Sequence, residues 1–161
     1  MSAESQLEAL HITLPPVPAA AGLYSPCVQT GSLLIVSGQV AVLDGKLMGT
    51  GKLGAGVSIE DAAAMARQCA LQALAIVRSE LGSLDRVNKV ARVAGYVACA
   101  EGFTDPSKVV NGASQLLIDV FGEPGRAARI AIGVAELPFG VPVEVEFMFE
   151  TREQGTGNGE Q

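Results

Sequence analysis

Two long helical patterns, separated by strand-like segments, constrain the fold of this chain more than any other feature. The first begins at the capping sequence Ser58-Ile-Glu-Asp61 and ends at about Leu81, where Gly82 follows. Its apolar positions recur every three or four residues and alanine is the commonest residue among them, which predicts close packing on a sheet. The second begins at Asp105-Pro106, a favourable N-cap with proline in the first helical position, and ends before Gly122.

Strand-like segments precede, separate and follow these helices. They are Ser32–Ser37, Gln39–Leu43, Val87–Val97, 129–135 and 143–150. The Leu-Pro-Phe-Gly-Val-Pro sequence between the last two has the Pro/Gly content of a turn, which favours an antiparallel hairpin. This order of segments predicts an α+β fold, a single domain in which one mixed sheet is backed by two helices.

The last two strand segments carry the candidate chemistry. Strand alternation places Arg129 on the same side as Ala131 and Gly133, whose small size leaves room around the guanidinium. Glu144 and Glu146 share one side of the next segment. An arginine beside open space, with carboxylates on a neighbouring strand, predicts an anion pocket that contains a base. The alternative is a cross-strand ion pair between Arg129 and one of these glutamates.

Composition excludes several classes of function. The net charge is −6, no basic cluster is present, and only 4% of residues are aromatic, so nucleic acid is not an expected partner. Three widely spaced cysteines and one histidine argue against a zinc site or a disulfide framework, and we expect no metal and no cofactor. Only 17% of residues are charged, which suggests that other subunits cover part of the exterior.

The sequence also predicts how the chain is organised and where it works. No apolar run approaches the length of a membrane span, and the N-terminus does not resemble a signal peptide, so we expect a cytoplasmic protein without a membrane partner. Residues 1–18 form an N-terminal arm, since a proline-rich stretch ends its short helix. Residues 19–150 form the domain, and the polar, Gly-rich residues 151–161 form a disordered tail.

Several separated motifs resemble the RidA/YjgF family in their order and spacing. They are Gly22-Leu-Tyr24, Gln29-Thr-Gly31, Ile35-Val-Ser37-Gly38-Gln39, Asn111, Arg129, Leu137-Pro138 and Val143-Glu144-Val145-Glu146. The match covers roughly Ala19 to Glu150 and is most similar to the subgroup called endoribonuclease L-PSP-like. This resemblance implies a chorismate-mutase-like fold and a homotrimer with ligand sites between subunits. It also implies hydrolysis of 2-aminoacrylate-like enamines and imines to 2-keto acids and ammonia.

The resemblance assigns a role to each of five residues. Arg129 falls on the position that binds the substrate carboxylate, and Glu144 falls on the glutamate that positions the attacking water. Tyr24, Gly38 and Asn111 match positions that line the same pocket. A guanidinium can hold a carboxylate through two parallel hydrogen bonds, and a carboxylate can accept a proton from water. Glu146 and Glu150 are instead expected to face solvent or an interface.

The sequence departs from the family pattern at three places, which leaves the substrate side chain open. Ala131 stands where many members have cysteine, Glu136 stands where a basic residue is frequent, and the loop over residues 100–105 is longer than in typical members. Two other functions remain as alternatives. One is a non-catalytic module that binds a keto acid or an amino-acid derivative. The weaker one is an endoribonuclease, which the net charge of −6 and the absence of histidine from these motifs disfavour.

Overall fold

The computed structural model describes residues 1–152 of the chain. The helices are α1 Ala3–Ala9, α2 Ile59–Leu81 and α3 Pro106–Phe121. The strands are β1 Cys27–Thr30, β2 Leu33–Val40, β3 Val42–Leu43, β4 Lys46–Leu47, β5 Lys52–Leu53, β6 Gly56–Val57, β7 Val87–Ala98, β8 Ala128–Val134 and β9 Val143–Thr151. The tail predicted over 151–161 lies mostly outside the described residues, and its first residue, Thr151, is the last of β9.

The two long helices begin and end where the sequence predicts. The Ser58 side chain accepts a hydrogen bond from the backbone N–H of Asp61 at the start of α2. Gly82 ends α2 with a φ of 82°, in the left-handed region that glycine adopts without a steric cost. Asp105 precedes α3, although its side chain makes no capping hydrogen bond, and Gly122 follows the last helical residue. None of the described helices is long and apolar enough to span a membrane.

The main sheet has five strands in the order β1-β2-β9-β7-β8. β8 runs parallel to β7, while the other neighbouring pairs are antiparallel, so the sheet is mixed as predicted. Helices α2 and α3 cover one face, and the core lies between them and the sheet. The helix α1 packs into the same core through Ala3 and Leu7. These features confirm the predicted α+β fold with two helices behind one sheet.

The predicted hairpin between the last two strands is wrong. β9 lies between β2 and β7, whereas β8 lies on the other side of β7. The connection over residues 135–142 passes the end of β7, where the backbone N–H of Ala98 donates to the Pro142 carbonyl at 2.9 Å. In this position β9 buries every second side chain and bonds to a strand on both edges. A hairpin would put β8 on one of these edges in place of β2 or β7.

The strand register places Arg129 and Glu144 on opposite faces of the sheet. Arg129 is in register with Val93, which is itself paired with Phe147 on the face covered by the helices. Glu144 is paired with Tyr96 on the other face. No described helix covers that second face, and it exposes apolar side chains including Val28, Leu33, Ile130 and Ile132.

Candidate functional site

A cavity of about 610 Å³ opens beside the bulged part of β2. Its walls come from β2 and β9, from residues 18–21 of the N-terminal segment, and from the connection that leads into β9. Three residues predicted to form the site, Tyr24, Gly38 and Glu144, line this cavity. The structure therefore brings together residues that are more than a hundred positions apart in the sequence.

Gly38 lets the backbone of β2 approach the Glu144 side chain. A Cβ atom placed on Gly38 would overlap Oε1 of Glu144, so a larger residue would have to displace that carboxylate. The register of β2 against β9 shifts between Val36 and Gln39, which identifies a β-bulge at the glycine. The bulge is anchored by Ser37, whose Oγ donates to the Ser25 carbonyl at 2.6 Å. Gly38 thus occupies a bulge and also makes room for the candidate base.

The environment of Glu144 disfavours its charged form. Burial raises the pKa of this half-buried carboxyl, and the nearby negative charge of Glu146 raises the pKa further. A carboxylate with a raised pKa is a stronger proton acceptor, as a general base requires. Glu146 lines the same cavity and belongs to the site, which the sequence reasoning did not expect. Glu150 lies apart from the cavity, where it pairs with Lys89 at 3.1 Å.

Gln39, which belongs to one of the sequence motifs, and Gln72, which the sequence did not single out, build one wall of the cavity. Nε2 of Gln72 donates to Oε1 of Gln39 at 3.2 Å and to the Val40 carbonyl at 2.9 Å. The backbone N–H of Val42 donates to Oε1 of Gln72 at 2.8 Å. These bonds join α2 to β2 and fix the wall. Gln68 and Gln72, four residues apart in the alanine-rich stripe of α2, were a signal that this part of the helix faces polar groups.

Tyr24 forms an outer wall of the cavity. Its hydroxyl accepts a hydrogen bond from the backbone N–H of Ala21 at 3.1 Å. This bond closes a short loop that carries residues 18–21 along the cavity edge. The ring is 52% exposed, so it is available to a ligand or to a second protein chain.

Arg129 is held by two side chains of α3. Its Nη1 donates to Oδ1 of Asn111 at 2.7 Å and to Oγ of Ser114 at 3.2 Å. Asn111 was predicted to line the ligand pocket, and it contacts the candidate ligand-binding arginine directly. Ser114 was missed, although it lies three residues after Asn111 and therefore on the same helical face. Both bonds use Nη1, so Nη2 and Nε of this exposed arginine face no hydrogen-bond partner within residues 1–152.

One chain does not bring Arg129 next to Glu144. Arg129 and Asn111 do not line the cavity, and the sheet lies between the arginine and the glutamate. The predicted pocket with the carboxylates on a neighbouring strand is therefore wrong within a single chain, because β7 separates β8 from β9. The alternative cross-strand ion pair is wrong for the same reason. The candidate residues form two groups on the two faces of the sheet.

Comparison with known proteins identifies the family of this chain. A family model described as "YjgF/chorismate mutase-like, putative endoribonuclease" matches residues 4–149. The chain belongs to the RidA/YjgF family. Protein TCP17 of Trypanosoma cruzi is 44% identical over 147 residues, which cover 91% of this chain and 92% of that protein.

Two solved structures of RidA/YjgF-like proteins superpose over most of the chain. The protein Atu1372 of Agrobacterium tumefaciens, of unknown function, is 41% identical with a TM-score of 0.85, covering 93% of this chain and 92% of that chain. A Shewanella oneidensis protein described as a "putative endoribonuclease" is 34% identical with a TM-score of 0.89, covering 93% and 99%. The sequence match and the superpositions therefore agree on the family and on the fold.

The three places where we expect this RidA/YjgF member to depart from the family pattern lie in different surroundings. Ala131 packs against the core, while Glu136 pairs with Lys52 at 2.6 Å on the surface. The loop over residues 100–105 contacts the segment that contains β5, since Phe103 packs on Gly54. The Glu136–Lys52 and Phe103–Gly54 contacts attach surface loops to the segment between β4 and α2.

Proposed function

We propose that this RidA/YjgF protein hydrolyses small 2-imino and 2-enamino carboxylates to 2-keto acids and ammonia, at sites formed between copies of the chain. One observation carries the proposal, namely that each face of the sheet holds half of such a site. On one face, Arg129 presents N–H groups that have no hydrogen-bond partner within residues 1–152, and Glu144 lines a cavity on the other face. Because the two halves are complementary and lie apart in one chain, a second copy would complete each site.

Imine hydrolysis needs only a cation that binds the substrate carboxylate and a general base that activates water. The guanidinium of Arg129 would bind the substrate carboxylate, which fixes the position of the C=N carbon. The enamine first becomes the imine by protonation at carbon and loss of a proton from nitrogen, with no net change in the number of protons. Water then attacks the imine carbon while the Glu144 carboxylate takes its proton, and a proton passes to the nitrogen. Collapse of the resulting carbinolamine breaks the C–N bond, releases ammonia and leaves the keto acid, with the Glu144 carboxylate restored.

The uncovered face of the sheet supports an assembly of several copies. Its exposed apolar residues include Ile130 and Ile132 on the edge strand β8. Apolar side chains grouped on one face of a sheet are typical of surfaces that are buried between subunits. A homotrimer is the assembly that the family resemblance implies, and we propose it for this protein.

The test generates 2-aminoacrylate with a serine dehydratase and measures keto-acid release with and without this protein. We expect the wild-type protein to accelerate release and the Arg129→Ala variant to lose about 100-fold or more in kcat/KM. The matched control is Arg126→Ala, since Arg126 is an exposed arginine that pairs with Glu123 at 3.0 Å. It should retain wild-type activity.

The same experiment separates the proposal from the binding-only alternative. Absence of acceleration by the wild-type protein, or full activity in Arg129→Ala, would contradict the deaminase proposal. Tight binding of a 2-keto acid without any turnover would favour a non-catalytic binding module. Calorimetry with 2-oxopropanoate provides this second measurement.

A further inference from the structure

We propose that this site selects substrates with a large apolar side chain, a branched aliphatic or aromatic group, and that Phe139 forms the selecting wall. The inference rests on the proposed function, because it names the substrate class of the same site. It concerns the substrate side chain, which does not react. The family resemblance does not specify this side chain.

Apolar side chains make up a large part of the cavity lining. They are Pro18, Val42, Leu47, Ile76, Pro138 and Phe139. The polar lining comes from Ser37, Gln39, Gln72, Glu144 and Glu146. A substrate side chain that packs on the apolar residues is stabilised if it is a hydrocarbon group, whereas a polar side chain there would lack hydrogen-bond partners.

The size of the cavity exceeds what a methyl-bearing substrate needs. An imine of six non-hydrogen atoms fills on the order of 100–200 Å³, at the roughly 30 Å³ that a water-sized group occupies. The cavity measures about 610 Å³. If a second copy filled half of it, room would still remain for a side chain of four or more carbons.

Phe139 is held in an unfavourable backbone conformation beside this space. Its φ of 59° lies in the left-handed region, which a residue with a side chain rarely adopts. The neighbouring backbone keeps it there, because the Gly51 N–H donates to the Gly140 carbonyl at 2.9 Å and the Gly140 N–H donates to the Leu137 carbonyl. The ring nevertheless gains little packing, since Phe139 is 66% exposed. Strain that stability does not explain is a feature of functional positions.

Leu47 on β4 forms another part of the cavity wall, and Leu43 on the neighbouring β3 serves as its control. In the pairing of β3 with β4, Leu47 is opposite Val42, and both line the cavity. Leu43 is opposite Lys46, does not line the cavity, and is 53% exposed. Leu47 and Leu43 are therefore the same residue type on the same small hairpin, and only Leu47 lines the cavity.

The test measures hydrolysis of imines made from alanine, leucine and phenylalanine by an amino-acid oxidase. We expect kcat/KM for the leucine-derived or the phenylalanine-derived imine to exceed that for the alanine-derived imine by at least about 10-fold. Phe139→Ala and Leu47→Ala should remove most of this preference by lowering kcat/KM for the leucine-derived and phenylalanine-derived imines. Leu43→Ala should behave as the wild-type protein for all three imines.

The possible outcomes separate this inference from the proposed function. Hydrolysis with equal rates, or with preference for the alanine-derived imine, would overturn the selectivity and leave the deaminase proposal intact. Hydrolysis of none of the imines would overturn the deaminase proposal, and binding of the matching 2-keto acids would then decide the selectivity. The selectivity would be supported if 4-methyl-2-oxopentanoate bound more tightly than 2-oxopropanoate and if Phe139→Ala abolished this difference. Equal binding of the two keto acids, or no binding, would overturn the selectivity.

Discussion

Glu144 carries a charge in a place that disfavours charge. Burial is the larger cause of its raised pKa, and the negative charge of Glu146 is the second. The folded protein therefore binds this proton more tightly than the unfolded chain does. Stability falls as the pH rises from the ordinary glutamate pKa through the raised one, and the whole cost remains at higher pH.

We predict that Glu144→Gln is more stable than the wild-type protein at pH 7 and inactive as a deaminase. The reason is that glutamine removes the buried charge and its repulsion with Glu146. Thermal unfolding should show a higher Tm at pH 7 and a smaller difference at pH 4. The control is Glu150→Gln on the same strand. Hydrogen bonds from Asn88 and Lys89 lower the pKa of Glu150, so its loss should not raise the Tm at pH 7.

The pH dependence of activity should report the influence of Glu146. In Glu146→Gln the negative charge beside the candidate base is removed, so the pKa of Glu144 falls toward its ordinary value. We expect the acid limb of kcat/KM against pH to move to lower pH, with activity at pH 8 reduced by less than about 10-fold. An unchanged acid limb would show that Glu146 does not influence the base.

At the scale of elements, the contact between α2 and α3 depends on Gly112. A Cβ atom at this position would overlap the carbonyl oxygen of Ala63 on α2, so the two helices approach through the glycine. Helix propensity alone says that alanine in place of a helical glycine stabilises by about 1 kcal/mol. Here the helices would have to move apart, which reverses the sign.

We therefore predict that Gly112→Ala destabilises the protein by about 1–3 kcal/mol. Urea unfolding followed by circular dichroism measures the change. Gln115→Ala is the matched control on α3, because Gln115 is exposed and its substitution also increases helix propensity. Stabilisation by Gly112→Ala would contradict the close approach of the two helices.

The elements that the sequence predicted well are those specified by local chemistry. Ser58 and Gly82 define the two ends of α2 through neighbouring residues, so the helix could be read from a short window of sequence. The pairing partners of β8 and β9 could not be read from a short window, because the residues between these strands resemble a turn whichever strands they connect. What excludes the hairpin is β7, which lies between the two strands and is distant in sequence.

At the scale of the whole molecule, the sequence supplied candidate residues for the site, but its strand pattern did not predict their separation. Motif positions identified Arg129 and Glu144, and both lie in chemically suitable surroundings. Their placement on opposite faces follows from the register of three strands, which no local pattern contains. Phe139 and Ser114 were missed because their importance depends on the cavity and on α3 packing beside β8.

A mixing experiment tests whether two chains share each site. Arg129→Ala and Glu144→Gln are each expected to be inactive, and a mixture refolded together in equal amounts should recover about one quarter of the wild-type activity. Only a site that takes its arginine from one variant and its glutamate from the other is intact. Mixing the two proteins without subunit exchange is the control. Lack of recovery after confirmed exchange would contradict a site shared between two chains.

The central position of β9 has a consequence for how a newly made chain reaches this fold. β1–β2 and β7–β8 are two separate pieces of sheet that become one only when β9 inserts between them. A nascent chain that has emerged as far as α3 already contains both long helices, but the sides of β2 and β7 that bond to β9 are still open. Open strand edges are templates for aggregation. The sheet is therefore incomplete during synthesis until residues 143–151 leave the ribosome, and the chain is most open to aggregation during that interval.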